Sequence, residues 1–545
     1  MKHLVPMVFT SLCLLIAGCT GKSNFDEAFK NMSAGHLGNY LSALASDRFQ
    51  GRKPFTAGED STIEYLRNQF RRMGLEPGNG ESYFQEVPMV SINSSPSPMK
   101  ITGGKTSLEF RFRDDFVAST MRVADSVILT QSPMIFAGYG IVAPEYHWND
   151  YAGLDVKGKT VVVLVNDPGF GSGDSTFFKG NTMTYYGRWT YKYEEAARQG
   201  AAALLIIHDT GPASYPWGVV RNSWSGALLH LETMDNNMSC CAVEGWISIE
   251  AAKKLFAGAG MSGYNFFREA RKRDFHAFPL KQFMTIRLDN KISHSLSHNV
   301  LARITGVSRP DEWIIYSAHW DHLGVGIPIN GDSIYNGAVD NGTGTAALLE
   351  IAGAFTHLNR KPGRSILFLA VTGEEQGLLG SEFYASHPVY PPAKTVADIN
   401  MDAFNDYGRT RDFSIIGYGQ SELEDYARKA AARQGRYITP DPRPEAGSFF
   451  RSDHFSFARV GVPSLYGKGG IDSEEHGKAW GMEQREEYTT YRYHKPSDNY
   501  APGMNLEGVI QDARLLFDVG YTLSNENSFP QWKEGSEFKS IREGK

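Results

Sequence analysis

The chain has 545 residues, of which 41% are hydrophobic and 21% charged, and its formal net charge is −6. A chain of this length exceeds what a single hydrophobic core usually serves, so we expect two or three domains. The mild negative charge and the lack of a long lysine or arginine run argue against a nucleic-acid-binding protein.

The N-terminus has the pattern of an exported lipoprotein. A short basic start precedes a mostly apolar stretch over residues 4–17, which is too short to span a membrane and is typical of a secretory signal. Residues 16–19 read Ile-Ala-Gly-Cys and resemble a bacterial lipobox, in which cleavage occurs before the cysteine and lipid is attached to its thiol. We therefore predict a signal peptide over residues 1–18, a tether over residues 19–34, and a membrane anchor on Cys19 at the periplasmic or extracellular face of the bacterial cell envelope. An ordinary cleavage site with an incidental cysteine is the alternative.

The next residues combine helices and strands. Residues 37–44 and 59–73 have the apolar periodicity of helices, and Gly74 ends the second of them. Residues 83–130 look β-rich. We assign residues 35–130 to the N-terminal part of the main domain.

Residues 131–287 differ from the segments around them in their pattern of predicted strands, turns and helices. Residues 157–165 predict a tight turn and an apolar strand, and residues 193–200 predict a short helix that leads into the buried strand 201–207. This combination resembles the protease-associated (PA) domain, a small β-rich insert of several secreted or membrane peptidases. The resemblance implies that residues 131–287 form a β-rich, PA-like insert.

From residue 297 onward, apolar strands alternate with helical segments. The predicted strands are 312–318, 365–371 and 397–401, and the predicted helices are 343–358, 380–387 and 421–434. Such alternation predicts an α/β fold with a mixed, largely parallel sheet flanked by helices, which we place over residues 288–530.

Metal-binding side chains follow several of these strands. In an open α/β sheet, functional groups collect just beyond the carboxyl ends of the strands. The candidates in this segment are His319, Asp340, Glu374, Glu375, Asp402 and His494. Imidazoles and carboxylates are the ligands that a pair of zinc ions requires, and one carboxylate can bridge the two ions. Taken singly, each residue has another interpretation: a capping or core histidine, a helix N-cap, or a solvated carboxylate.

The order of these residues resembles the M28 family of co-catalytic zinc aminopeptidases. That pattern runs His-x-Asp, Asp, Glu-Glu, Asp or Glu, and His, and every element is present here. The segment SDHFSFARVGVPSL at residues 452–465 belongs to the same resemblance, which covers residues 36–525 if the PA-like segment is an insertion. The two further histidines inside matched motifs, His322 and His454, are interpreted as pocket or structural residues.

The resemblance implies a ligand set for two Zn²⁺ ions. Asp340 would bridge them, His319 and Asp402 would complete one site, and Glu375 and His494 would complete the other. Family members often have a cis peptide bond after the bridging aspartate, so we expect one after Asp340.

The resemblance also implies three residues that act without binding metal. Glu374 would be the general base that takes a proton from water and delivers it to the leaving amine. Asp321 would be the carboxylate that orients a ligand imidazole. Tyr493 would donate a hydrogen bond to the developing oxyanion, with Tyr466 and Tyr491 as other candidates.

These features predict a zinc-dependent aminopeptidase that acts on peptides. Three alternatives stay open: a PA-domain carboxypeptidase of the same fold, a glutaminyl cyclase, and a non-catalytic receptor on a peptidase scaffold. A carboxypeptidase needs an arginine cluster that grips a substrate carboxylate. Arg443, Arg451 and Arg485 are present, but sequence does not show whether they converge.

Overall fold

The computed structural model describes residues 24–544. The predicted signal peptide and Cys19 therefore lie outside the described residues. Within the described part of the chain, no helix is both long enough and apolar enough to cross a membrane.

The main domain begins with three helices and a short strand. They are α1 (Phe25–Asn31), α2 (Ala34–Leu44), α3 (Ala57–Arg72) and β1 (Glu76–Pro77). Helix α3 begins after Thr56, whose hydroxyl accepts a hydrogen bond from the backbone N–H of Gly58. Its apolar residues Ile63, Leu66 and Phe70 recur at helical spacing and are buried. The two helices predicted near the start of the chain are therefore confirmed.

A second unit, the insert, follows. Its strands are β2 (Phe84–Pro96), β3 (Met99–Thr102), β4 (Leu108–Phe110), β5 (Phe116–Ser119), β6 (Ser126–Phe136), β7 (Val142–Ala143), β8 (Trp148–Asn149), β9 (Thr160–Leu164), β10 (Ala203–Ile207), β11 (Ala227–Leu231) and β12 (Val243–Ile247). Its helices are α4 (Trp189–Arg198), α5 (Thr210–Ala213), α6 (Trp217–Ser223), α7 (Ile249–Gly258) and α8 (Phe266–Ala270). Strands β6, β9, β10 and β12 pair side by side in parallel, and β5 pairs antiparallel with β12.

The long strand β13 (Phe278–Ile304) joins the two units. Its first half pairs with β6 and β3 of the insert, and its last five residues pair with β17 of the main domain. The sequence analysis assigned residues 35–130 to the main domain. Met99, Phe110 and Phe116 nevertheless share one hydrophobic core with Val162 of the insert. We therefore favour an insert that begins close to β2.

The rest of the main domain alternates strands and helices. Its strands are β14 (Arg309–His319), β15 (Gly324–Ile329), β16 (Asp332–Tyr335), β17 (Arg364–Val371), β18 (Thr395–Asn400), β19 (Asp412–Ile416), β20 (Tyr437–Pro440) and β21 (Ser464–Gly469). Its helices are α9 (Gly344–Thr356), α10 (Leu379–Ser386), α11 (Leu423–Arg433), α12 (His454–Arg459), α13 (Gly477–Glu487), α14 (Glu507–Asn525) and α15 (Lys539–Arg542).

The main sheet has the order β13-β17-β14-β18-β21-β19-β20. Strands β17, β14, β18 and β21 are parallel to one another. Strand β13 runs antiparallel to β17, and β19 runs antiparallel to β21 but parallel to β20. Every residue of β17 and β18 is buried, because helices cover both faces of the sheet. This is the predicted α/β fold with a mixed, largely parallel sheet.

Candidate metal centre

The parallel strands bring four predicted site residues to one edge of the sheet. His319 is the last residue of β14, and Asp402 lies two residues beyond β18. Glu374 and Glu375 follow β17 after a turn in which Gly373 has a φ of 65°. Adjacent parallel strands end at the same edge, so these side chains converge on one cleft.

Asp340 lies in the turn that precedes α9. The peptide bond between Asp340 and Asn341 is cis, as the resemblance implied. The Asn341 side chain donates to the backbone oxygen of Met401 at 3.0 Å and accepts from the backbone N–H of Gly344 at 3.0 Å. Asn341 therefore ties the Asp340 turn to the end of β18 and to the start of α9.

Asp340 presents one carboxylate oxygen to each of two histidines. His319 Nε2 lies 3.4 Å from Asp340 Oδ1 and 3.4 Å from Asp402 Oδ1. His494 Nε2 lies 3.1 Å from Asp340 Oδ2 and 3.1 Å from Glu375 Oε2. The five predicted ligands thus form two sets that share Asp340.

The site's donor atoms are of the types that zinc binds. Buried carboxylates are costly without counter-charges, and here the side chains of Asp340 and Glu375 are only 7% and 4% exposed. His319 Nε2 is buried without a hydrogen-bond partner among the described residues, although three carboxylates surround it. Two groups of possible ligands have donor atoms within 4.8 Å of one another, namely His319, Glu374 and Asp402, and His322, Asp340 and Glu375. Carboxylates and imidazoles without sulfur are an ordinary zinc donor set.

Charge pairing controls the protonation of the centre in the absence of metal. Burial opposes the charged imidazolium of His494, but hydrogen bonds to Asp340 and Glu375 outweigh burial and raise its pKa to about 10. Burial and the Asp340 charge oppose ionisation of Glu375, but His322 and His494 outweigh them and lower its pKa to about 2. His494 must lose its proton before it can bind a metal ion, so metal affinity should rise with pH.

Glu374 differs from its neighbour Glu375. Its Oε2 lies 4.0 Å from His319 Nε2, farther than the oxygens of Asp340 and Asp402. Burial, followed by the charge of Asp402, raises the pKa of Glu374 well above its ordinary value, although His319 acts in the opposite direction. A carboxylate that holds a proton readily and lies at the edge of the cluster suits proton transfer.

Asp321 organises the glutamate pair. Its carboxylate accepts hydrogen bonds from the backbone N–H groups of Glu374 at 3.1 Å and Glu375 at 3.4 Å. Its backbone oxygen lies 3.2 Å from His319 Nδ1, whereas its carboxylate lies 3.8 Å from that nitrogen. The carboxylate that was expected to orient an imidazole therefore holds the Glu374–Glu375 turn, and the same residue contacts His319 through its backbone.

His322 and His454, the two further histidines of the matched motifs, have different surroundings. His322 is fully buried, and its Nδ1 lies 2.6 Å from Glu375 Oε1, the oxygen that faces away from His494. His454 is also buried, and neither ring nitrogen has a partner among the described residues. It packs between the rings of Phe449 and Tyr466, and burial lowers its pKa to about 3. His322 thus orients Glu375, and His454 is a neutral core residue.

Two tyrosines approach the cluster. Tyr493 is 43% exposed, and its ring stacks on His494 with the centroids 3.9 Å apart. Tyr466 is buried, and its hydroxyl donates to the backbone oxygen of Asp402 at 3.5 Å. Burial raises the pKa of both phenols, so each stays a donor at neutral pH. Of the two residues, Tyr493 is the more exposed.

One residue of the site escaped the sequence analysis. The carboxylate of Asp498 accepts hydrogen bonds from the backbone N–H groups of Val339 and Asp340, each at 3.1 Å, and thereby holds the turn that carries Asp340. Asp498 is fully buried, and burial raises its pKa to about 6. Its position four residues after His494 was the only signal in the sequence.

Two of the three arginines considered for a carboxypeptidase share a neighbour. Burial raises the pKa of Asp441, and the charges of Arg485 and Arg443 both act in the opposite direction. Arg451 instead lies over the ring of Tyr215, 6.0 Å from its centroid. Arg451 thus has a different neighbour from the other two.

Comparison with protein families identifies the segment that carries this centre. Residues 299–513 match the model of peptidase family M28. This segment runs from the last part of β13 into α14 and includes all five predicted metal ligands.

Comparison with individual proteins extends the similarity. A "probable leucine aminopeptidase 2" of Aspergillus oryzae is 27% identical over 480 residues, which cover 86% of this chain and 79% of that protein. "Aminopeptidase NAALADL1" of Mus musculus is 37% identical over 131 residues, which cover 23% of this chain but only 16% of that protein. An aminopeptidase structure from Aneurinibacillus sp. strain AM-1 aligns over 93% of this chain and 97% of its own, with a TM-score of 0.49 and 18% identity.

Proposed function

Because the chain belongs to peptidase family M28, we propose that it is an aminopeptidase that uses two Zn²⁺ ions to release N-terminal residues from peptides. The observation that carries this proposal is the Asp340 carboxylate, which offers one oxygen to His319 and the other to His494. Shared carboxylates of this kind hold paired ions in hydrolytic sites.

The proposed ligands follow from the two sets of donor atoms. Asp340 would be shared by both ions, His319 and Asp402 would hold one, and Glu375 and His494 would hold the other. The zinc ions, when bound, supply Lewis acidity that polarises the peptide carbonyl and lowers the pKa of water at the centre.

The chain's own residues then move protons and stabilise charge. Glu374 takes the proton from the attacking water and delivers it to the leaving amine, in keeping with its place beside the ligand cluster, 4.0 Å from His319 Nε2. Tyr493 donates a hydrogen bond from its hydroxyl to the oxyanion that develops on the carbonyl and keeps its proton. Asp321 holds the backbone of Glu374, so the base keeps its orientation during the transfer.

A relative bears on the choice between an aminopeptidase and a carboxypeptidase. The protein named "probable leucine aminopeptidase 2" is 27% identical over 86% of this chain. Arg443 and Arg485 share Asp441 as a neighbour, whereas Arg451 lies over the ring of Tyr215. The relative supports an aminopeptidase, and the separate position of Arg451 offers less support for recognition of a C-terminal carboxylate by all three arginines.

The proposal also includes export and lipid attachment at Cys19, which place the enzyme at the bacterial cell envelope, and a PA-like role for the insert. Residues 1–19 of the sequence support the anchor. Labelling of the full chain with a radioactive fatty acid tests it: Cys19→Ala should abolish the label, and an unchanged label would exclude this anchor.

Hydrolysis of matched peptides tests the proposed activity. We expect the purified protein to cleave peptides with a free N-terminus and to leave acetylated copies intact. Removal of metal with a chelator should abolish cleavage, and added zinc should restore it. Equal cleavage of free and acetylated peptides would exclude an aminopeptidase.

The proposed base is tested by Glu374→Gln. We expect this variant to retain zinc and to lose about 10²–10⁴-fold in kcat, the usual contribution of a general base. Wild-type turnover by the variant would show that Glu374 is not the base.

A further inference from the structure

Arg52 lies buried beside the metal centre although it comes from the N-terminal segment. It ends the short turn Asp47–Arg52, far outside the family-matched residues 299–513. Its side chain is only 1% exposed. A buried guanidinium needs a partner for each of its N–H groups, so its contacts show what it holds.

The guanidinium of Arg52 donates to four backbone carbonyl oxygens. Nε donates to Trp320 at 2.8 Å, and Nη2 donates to Gly337 at 2.9 Å. Nη1 donates to Leu44 at 2.9 Å and to Asn336 at 2.5 Å. These carbonyls belong to three separate segments of the chain, so one side chain joins all three.

Two of these segments carry proposed metal ligands. Trp320 directly follows His319, and Gly337 lies three residues before Asp340. The third contact, Leu44, ends helix α2. Arg52 therefore sets the separation between the loop that carries His319 and the turn that carries Asp340, and anchors both to the N-terminal helices.

The charge and the geometry of Arg52 have opposite effects on a bound cation. Burial lowers the pKa of Arg52 to about 10, so the guanidinium stays positively charged at neutral pH. Its charge acts on Asp498, Asp321 and Asp340, and a positive charge near the cluster disfavours a cation there. If Arg52 assists metal binding, it does so through position and not through charge.

We propose that Arg52 is a positioning residue of the metal centre, which makes the N-terminal segment part of the catalytic unit. This inference rests on the proposed zinc site. The planar fork of arginine is required, because a lysine ammonium has three donors at one point and cannot reach carbonyls on three segments.

Arg52→Lys tests this role because it keeps the charge and removes the fork. We expect zinc affinity, measured by competition with a chromophoric chelator, to fall about 10–100-fold, the usual effect of losing a group that orients metal ligands. Peptide hydrolysis should fall with it. The neutral variant Arg52→Met should also bind zinc more weakly.

Arg364→Lys is the matched control. Arg364 is also fully buried and donates to the backbone oxygens of Leu523, Asn527 and Ser528, but it also pairs with Glu312. It begins β17, seven residues before Val371, the last residue of that strand, so roughly 23 Å separate it from the strand end near the metal centre. Both lysine variants should lower Tm, and only Arg52→Lys should weaken zinc binding.

Each outcome has a distinct meaning. If the wild type binds no zinc, the proposed metal centre itself fails. If the wild type binds two zinc ions and Arg52→Lys binds them equally well, the positioning role is excluded. If Arg52→Met binds zinc more tightly, the charge of Arg52 dominates and the inference is also overturned.

Hydrogen exchange of the wild type tests the inference without any variant. We expect zinc to slow amide exchange in residues 47–53, a turn that contains no proposed ligand, because Arg52 links it to both ligand-bearing loops. Unchanged exchange there, with slower exchange near Asp340, would contradict the proposed link.

Discussion

Replacement of Glu375 by glutamine should empty half of the zinc centre, whereas the same change at Glu374 should leave both ions bound. Glu375 uses both of its oxygens: Oε2 lies 3.1 Å from His494 Nε2, and Oε1 lies 2.6 Å from His322 Nδ1. Glu374 lies 4.0 Å from the nearest histidine nitrogen. The two glutamates are adjacent in sequence and identical in chemistry, so each variant is a control for the other.

The size of the effect follows from these contacts. Glutamine at position 375 replaces a charged ligand by a neutral amide and weakens the hydrogen bond through which His322 orients that ligand. Loss of an orienting group alone costs about 10–100-fold in metal affinity, so loss of the charged ligand as well should cost at least about 10²-fold for the ion proposed to be held by Glu375 and His494. Glu374→Gln breaks no comparable contact, so its zinc affinity should change by less than about tenfold.

Zinc content and hydrolysis should be measured on the same samples. After equilibration with buffered free zinc, atomic emission should report two ions per chain for the wild type and Glu374→Gln, and one for Glu375→Gln. Both variants should be impaired in hydrolysis. If Glu375→Gln retained two ions while Glu374→Gln lost one, the assigned roles would be reversed and the reasoning refuted.

Three further predictions concern the oxyanion donor, a buried carboxyl of the insert and the hydrophobic core of the insert. Tyr493→Phe should lower kcat by about 10²-fold with little change in KM, and Tyr466→Phe should not; equal effects would remove the distinction between the two hydroxyls. Burial, and to a smaller extent the charge of Glu194, raises the pKa of Glu244 to about 8. Between pH 4.5 and pH 8 this carboxyl is ionised in the unfolded chain but protonated in the folded protein, so its contribution to wild-type stability should fall as the pH rises. Glu244→Gln should remove this contribution to the fall. The variant should be more stable than the wild type by about 4 kcal/mol at pH 8 and equally stable at pH 4. If Tm changed with pH in the same way in both proteins, this prediction would be contradicted. Phe136→Ala should destabilise the insert by about 3–5 kcal/mol in calorimetry yet leave zinc content unchanged, and loss of zinc would show that the two cores are not independent.

Much of the main domain could be predicted because its signals are local. The strands that end at His319 and before Glu374 are continuous apolar runs, and their buried positions match the predicted spans. In a continuous strand, two neighbouring glutamates would point to opposite faces of the sheet. The turn at Gly373 ends the strand before Glu374, so both side chains can reach one cleft. The ligand types and their order were therefore readable without a structure.

The start of the insert could not be predicted in the same way. Residues 84–130 form strands whose partners lie far away in sequence, on β13 and β12. Alternating polarity shows that a strand has one buried face, but it does not show which domain covers that face. The shared core of Phe110 and Phe116 with Val162 favours placing this segment in the insert.

By itself, the sequence determined the donor atoms of this protein: which histidines and carboxylates are available, and in what order. The tertiary structure decided how they are held. Arg52, Asp498 and the carboxylate of Asp321 bind backbone groups of distant segments. Because almost every residue type offers the same backbone carbonyl and N–H, such a hydrogen bond does not constrain which residue its partner is. Such contacts arise only when the chain is folded, which is why the ligands were recognisable in the sequence and the residues that orient them were not.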